Sequence, residues 1–401
     1  MKISHKNHLF GAVIFVIIAM VLWLRIAVEA THYISPDSEF YLRVAENLLA
    51  GKGLVAPYTY PFSDATKEIY FAAWAPGYPV FIAFLCWLSV GSVSVIVASK
   101  LINLMALAGI YWLLYKWVGH RAWFPFLYFC SFGMLEVYSY SWSEPVFLFF
   151  VVLLAYQIKR SRYNQDKWLF IKVTGILIIL FLIRYAGLVY YIGLSLLMFF
   201  AFFRNRKKLA LHYLTALSIS SIVALAYFYN NYLQMGAYTG GERVFPEQVS
   251  DLGFIGDLGY GLFNAFSIAR NFYFEFEIFY FSLLALQLIL VAFLVVERRI
   301  LQRPFIKNND DVCVLWGSAI FYLLLIIILR RLSPFDPFDY RILSPFMLTF
   351  FLAVFIAILR QEAFFQKTYK WITAFMLLSL VMNLPKAFLY EKLQTLISHV
   401  I

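Results

Sequence analysis

Asp37 lies in the run Ser35-Pro36-Asp37-Ser38-Glu39-Phe40-Tyr41-Leu42-Arg43-Val44-Ala45-Glu46, closed by Gly51. Ser35 suits an N-cap, Pro36 a first helical position and Gly51 a C-terminal stop, so the run predicts a short helix. At 100° per residue, Asp37 shares a face with Tyr41, Val44 and Leu48, while Glu39, Arg43, Glu46 and Ala50 share another. A carboxylate heading an apolar face carries a desolvation cost. It fits a general base that takes a proton from a hydroxyl; a carboxylate in a first helical turn also fits a cap that favours the helix dipole. Glu39 is expected to pair with Arg43 in solvent. Further chemistry-bearing groups stand at Glu144-Pro145, Arg184-Tyr185 and Tyr340-Arg341. Beside an aromatic residue at the mouth of a span, a guanidinium can hold a phosphate bidentately or anchor the chain at the headgroups, and both readings stand for Arg184 and Arg341. Arg330 and Arg331 are expected to snorkel. Lys100 and Glu136 fall inside apolar runs, where a charge is costly and marks a functional candidate.

The elements that position these groups follow from composition. The chain has 401 residues, 63% of them hydrophobic and only 14% charged. Soluble domains are nearer 25% charged, so the solvent must be lipid and the protein a polytopic membrane protein. The apolar runs are continuous rather than alternating, which makes the spans helices, each of about 20 residues. Candidate spans are 9–31, 92–116, 122–140, 144–158, 168–183, 185–203, 209–231, 276–296, 312–329, 342–359 and 371–389. The stretch 77–90 would reach about 21 Å as a helix, short of a hydrocarbon core of about 30 Å. If it does not cross, the basic turns with Lys116/Arg121, Lys159/Arg160/Arg162/Lys167, Arg204/Arg206/Lys207/Lys208, Arg298/Arg299/Arg303/Lys307 and Arg360/Lys367/Lys370 all share the side of Lys2 and Lys6. That satisfies the positive-inside rule with a cytoplasmic N-terminus, and 77–90 is then re-entrant or interfacial. The expected fold is all-α, with about eleven spans, an amphipathic interfacial helix in the first outer loop (32–91), and a second long outer loop at 232–275. No separate soluble domain is expected within 1–401. Arg25 and Glu29, spaced i,i+4, can pair in an uncleaved first span.

The net charge of +11 is therefore a topological bias, spread over short turns, and not a nucleic-acid surface. Cys86, Cys130 and Cys313 lack zinc spacing, and the six histidines form no ligand pair. The glycine run Gly236-Ala237-Tyr238-Thr239-Gly240-Gly241 is not followed by Lys-Ser/Thr as in a P-loop. No cofactor is expected, and a divalent metal is left open.

Taken in order, several motifs resemble the GT-C superfamily of integral-membrane glycosyltransferases, nearest the protein O-mannosyltransferase and aminoarabinose transferase branch. They are Asp37-Ser38-Glu39-Phe40-Tyr41, Pro76-Gly77-Tyr78-Pro79, Ser143-Glu144-Pro145, Arg184-Tyr185-Ala186-Gly187-Leu188, Tyr238-Thr239-Gly240-Gly241-Glu242-Arg243 and Tyr340-Arg341-Ile342-Leu343-Ser344-Pro345. The resemblance covers about 30 to 350. It implies an inverting transfer of one sugar from a polyprenyl-phosphate donor to a hydroxyl of a glycolipid, polysaccharide or protein, on the outer face. It also implies that Asp37 is the general base and Glu144 the second outer acid. We take Glu144, Arg184, Tyr340, Arg341, Tyr41, Tyr78 and Arg243 as the substrate- and phosphate-binding set. Two departures stand out: the branch often has adjacent acids where this chain has Asp37-Ser38, and a Lys where it has Trp74-Ala75. The expected location is a bacterial inner membrane, multi-pass, with the site facing the periplasm and membrane lipids around it.

Two rivals share the composition. A lipid-linked sugar flippase or transporter would show repeat halves and paired charges at mid-depth. No repeat is present, and the polar groups gather at one face. A polymerase or ligase of pyrophosphate-linked oligosaccharides would lean on arginines of the long outer loop, where Arg243 and Arg270 lie.

Overall fold

In hydrocarbon a backbone amide finds no water, so each apolar run closes its hydrogen bonds on itself as a helix. The computed structural model describes residues 4–59, 66–161, 167–239, 250–272, 278–301, 310–332 and 337–385, with 388 and 391. Along the chain come α1 (Ser4–Val28), α2 (Pro36–Leu49), β1 (Val55–Thr59), β2 (Thr66–Tyr70), α3 (Gly77–Leu88), α4 (Val95–Val118), α5 (Trp123–Phe126), α6 (Phe132–Ser139), α7 (Glu144–Ser161) and α8 (Leu169–Ile183). They are followed by α9 (Leu188–Phe203), α10 (Lys207–Met235), α11 (Asp251–Phe266), α12 (Ile278–Leu301), α13 (Asp310–Leu332), α14 (Ser344–Leu359) and α15 (Glu362–Met382).

Among the described residues, six helical segments are long and apolar enough to cross a membrane: Phe10–Val28, Val95–Arg121, Tyr185–Phe203, Lys207–Met235, Ile278–Arg298 and Asp311–Leu332. The bent pair α6 and α7 would make a seventh. The expected count of about eleven is not reached on length and composition, because α8 and α14 have only 15 and 16 residues. Nor is 122–140 one straight span. Pro125 lacks an N–H, Ser131 is extended, and the helix restarts at Phe132 only to stop at an extended Tyr140. Helix α7 then leaves at 117° to α6. The stretch 77–90 forms the 12-residue α3, about 18 Å long, which packs on α2, α4 and α8.

The described part of residues 32–91 also holds an antiparallel pair that helical periodicity did not anticipate, with Val55 opposite Tyr70 and Thr59 opposite Thr66. Its Val, Tyr, Thr and Ile residues favour a pleated surface. Asn230 Nδ2 donates to the Tyr70 hydroxyl at 2.9 Å, tying the hairpin to α10.

Helix α14 is buried along its described length and packs on α13, α7, α5 and α15, which makes it the axis of the bundle. Large apolar side chains such as Phe84, Trp87, Phe199, Ile222 and Leu288 are exposed around the outside, as a lipid-facing surface requires. Two motif glycines allow close backbone contact. A Cβ on Gly77 would sit 2.7 Å from the Leu182 carbonyl oxygen, and one on Gly187 would sit 2.5 Å from that of Leu180.

Several charged side chains find other partners than their spacing suggested. Arg25 turns from Glu29 to Glu136, with its Nη1 donating to the Asn383 carbonyl at 2.8 Å, so the end of α1 is bound to α6 and the end of α15. Arg43 pairs with Glu46 at 3.0 Å rather than with Glu39. Arg330 reaches Asp257 at 3.0 Å and Arg331 reaches Asp251 at 2.5 Å, so these two arginines hold α11 against α13 instead of snorkelling.

Candidate active site

Helix α2 forms where the sequence places it. Ser35 accepts from the Ser38 amide at 3.3 Å, and Pro36 opens the helix. Tyr41, Val44 and Ala45 are buried, whereas Glu39, Arg43 and Glu46 are exposed. Asp37 therefore starts the helix at the edge between protein and solvent, with its side chain 23% exposed.

The break between α6 and α7 brings up the second acid. Residues 140–143 leave the helical path, Trp142 Nε1 donates to Ser35 Oγ at 2.7 Å, and α7 begins at Glu144. A carboxylate in that first turn suits the helix dipole. Glu144 is only 1% exposed. Arg184 arrives at the extended end of α8, and Arg341 in the turn that precedes α14, where the Ile342 amide donates to Asp339 Oδ1 at 2.8 Å.

These four side chains converge. Arg341 Nη1 lies 2.6 Å from Asp37 Oδ2, and its Nε donates to Glu144 Oε1 at 2.5 Å. Arg184 pairs with the same Glu144 oxygen and also donates to Ser143 Oγ at 3.3 Å. The Arg341 guanidinium stacks over Trp142, 4.6 Å from the ring centroid. Burial alone would lower the Arg341 pKa; Glu144 and Asp37 overcome this and hold it above the ordinary arginine range. Tyr41 is 2% exposed, with its hydroxyl 3.4 Å from Ser143 Oγ, and burial pushes its pKa up to about 12. Two carboxylates and two guanidiniums are formally neutral together. The most accessible of the four is Asp37; Glu144 lies underneath and fixes both arginines.

The structure thus gathers Asp37, Glu144, Arg184, Arg341 and Tyr41. Tyr340 stands beside them, its ring 6.4 Å from Trp142 and edge-on to Phe132. Tyr78 does not face the cluster's open side. It is fully buried, its hydroxyl donates to Asn103 Oδ1 at 3.2 Å, and its ring meets Tyr41 edge-on, so it supports Tyr41 from behind. Arg243 lies outside the described residues. Ser143 and Trp142 are members that the charge pattern did not single out, although Ser143 belongs to the Ser-Glu-Pro motif. Among the described residues, no group of three or more His, Cys, Asp or Glu could hold a metal.

This mainly helical fold places an acid-bearing helix after the first span and a second acid at the head of a bent helix. A solved structure shares it: ArnT, an aminoarabinose transferase from Cupriavidus metallidurans, bound to undecaprenyl phosphate, with a TM-score of 0.51 and 14% identity over 87% of this chain. The matched region is 60% of ArnT, so this chain spans less than two thirds of that protein's length. The apo form of ArnT from the same organism aligns with a TM-score of 0.45 and 12% identity, over 91% of this chain and 77% of that one. No family model matches the chain, and no curated protein matches it.

Proposed function

We propose that this protein transfers one sugar from a polyprenyl-phosphate donor to an acceptor hydroxyl at the outer face of a bacterial inner membrane, with inversion at the anomeric carbon. The observation that carries the reading is the cluster itself: a rim carboxylate, Asp37, paired to a guanidinium that a buried Glu144 holds in place. The sugar phosphate brings its own competent leaving group, so a base and a phosphate holder are enough. The donor phosphate competes with Asp37 for Arg341, and Arg184 adds a second guanidinium. Asp37, released, takes the proton from the acceptor hydroxyl. The hydroxyl oxygen then bonds to the anomeric carbon as the bond from that carbon to the phosphate oxygen breaks, leaving the lipid phosphate on the two arginines.

The tail has a seat nearby. An apolar cavity of about 240 Å³ lies among α7, α9 and α13, lined by Leu154, Tyr190, Leu194, Phe200 and Phe321. Phe147, less than one turn beyond Glu144, lies 6.0 Å from the Tyr190 ring and so joins the charged cluster to this cavity. The chain of ArnT has been solved with undecaprenyl phosphate bound, a lipid of the class proposed here.

The test uses the purified protein in nanodiscs, given a panel of polyprenyl-phosphate monosaccharides with a hydroxyl acceptor. Acceptor-dependent release of free polyprenyl phosphate, with the product anomer opposite to the donor's, is the expected result. Movement of donor between leaflets of vesicles without any covalent product would replace this reading with a flippase.

A further inference from the structure

Lys100 is 2% exposed within α4, yet its ammonium meets no carboxylate in the contacts described above. Its Nζ donates to two backbone carbonyls, Ser139 at 2.7 Å and Tyr33 at 3.2 Å. Ser139 ends α6, where carbonyls lack intrahelical partners and a cation is favourable. Tyr33 sits in the left-handed region, at φ 55°, and its carbonyl also accepts from the Ser141 amide at 3.2 Å. The neighbours of Lys100 continue the pattern. Asn103 Nδ2 donates to the carbonyls of Tyr140 at 2.7 Å and Tyr138 at 3.4 Å, and Ser99 Oγ lies 2.8 Å from Ser141 Oγ. One face of α4 therefore supplies the polar partners that the break between α6 and α7 could not find in lipid.

Of the α4 side chains in these contacts, only Lys100 reaches both acid-bearing segments, where it adds to the direct Ser141–Tyr33 and Trp142–Ser35 hydrogen bonds between them. Tyr33 precedes Asp37 by four residues, and Ser139 precedes Glu144 by five. Of the two segments, Asn103 and Ser99 touch only the break. An isolated charge buried in a span needs a reason beyond packing. We infer that Lys100 is a positioning residue: its two-carbonyl clamp sets the first outer loop against the broken helix and thereby sets the separation of Asp37 from Glu144. The catalytic half of this inference rests on the sugar-transfer reading above; the structural half does not.

The two halves are tested on the full-length protein in nanodiscs. Hydrogen exchange should rise together at residues 33–38 and 138–143 in Lys100→Met, by tenfold or more on the scale of local opening, with α12 and α13 unchanged. Asn103→Ala should raise exchange at 138–143 alone. In transfer assays, Lys100→Met should lower kcat about 10- to 100-fold, as a small misplacement of reacting groups does, with donor KM held within about twofold. Added to Asp37→Asn, it should cost nothing further, since the loss runs through Asp37. Lys100→Gln, which can reach one carbonyl but not both, should fall between and carries the same test if Lys100→Met does not accumulate.

Exchange that rises everywhere alike, or at only one segment in Lys100→Met, would overturn the clamp. So would a kcat within about twofold of wild type. If the unaltered protein transfers no sugar, the proposed function fails, and the exchange pattern still decides whether Lys100 couples the two segments.

Discussion

Tyr41 illustrates how closely the site residues are bound to their surroundings. Burial, offset in part by Arg184, holds its pKa at about 12 against an ordinary 10. Between those two values the unfolded chain has lost the phenol proton and the folded protein has kept it. Stability is therefore fully present below pH about 10 and falls as pH rises toward about 12, by a total near 3 kcal/mol. Alkaline unfolding of the protein in detergent should be less steep in Tyr41→Phe across that window; identical profiles would mean that the hydroxyl is hydrated. Glu144 has the opposite sensitivity, because it is 1% exposed and serves two arginines. Glu144→Gln leaves those guanidiniums without their shared anion, and breaking a buried pair in this way costs about 3–5 kcal/mol. Thermal unfolding should drop by several degrees and transfer should be lost. A midpoint within about 2 °C of wild type would show that the arginines find water or another partner.

At the scale of elements, α2 was legible because three independent signals agree there: the Ser35 cap, Pro36 and a 3.6-residue apolar period. The boundary between 140 and 144 was legible too, but the 117° bend across it was not. Apart from Ser131, Glu136 and Ser139, residues 122–140 read as one apolar run, and the partners that make the bend tolerable, Asn103 and Lys100, sit on α4, beyond any local window. The same limit applies to charges. Spacing suggested Arg25 with Glu29 and Glu39 with Arg43, whereas the fold supplies Arg25 with the distant Glu136 and pairs Arg43 one turn onward with Glu46. Helix α11 offers a test at this scale, since two ion pairs of unequal burial hold it. Arg330 is 6% exposed and Asp257 37%, whereas Arg331 and Asp251 are 55% and 80% exposed. Asp251→Ala should change stability by less than about 1 kcal/mol, as exposed pairs do. Asp257→Ala removes the carboxylate paired with a buried guanidinium and should speed limited proteolysis within α11. Equal effects of the two substitutions would contradict this ranking.

Across the whole molecule, composition alone pointed to lipid as the solvent, and the basic turns gave the end of the bundle expected to face the cytoplasm. The charged cluster lies at the opposite end: Asp37 follows the first span, Glu144 begins α7, Arg184 ends α8 and Arg341 precedes α14. The motif order gave the residues, but not that Arg341 would bridge both acids, because such a bridge is set by where α14 packs rather than by neighbours in sequence. The number of crossings was least legible, since α8 and α14 are shorter than a lipid-facing helix needs and α14 is shielded by the rest of the bundle. Sugar transfer as proposed requires Asp37 to act as the base, and single-turnover transfer by Asp37→Asn tests this most directly. With purified, correctly inserted protein loaded with a donor that the unaltered protein uses, the rate should fall by at least about 10²-fold, within the 10²–10⁴ that a positioned base supplies, while donor binding persists. A rate equal to that of the unaltered protein would contradict the account.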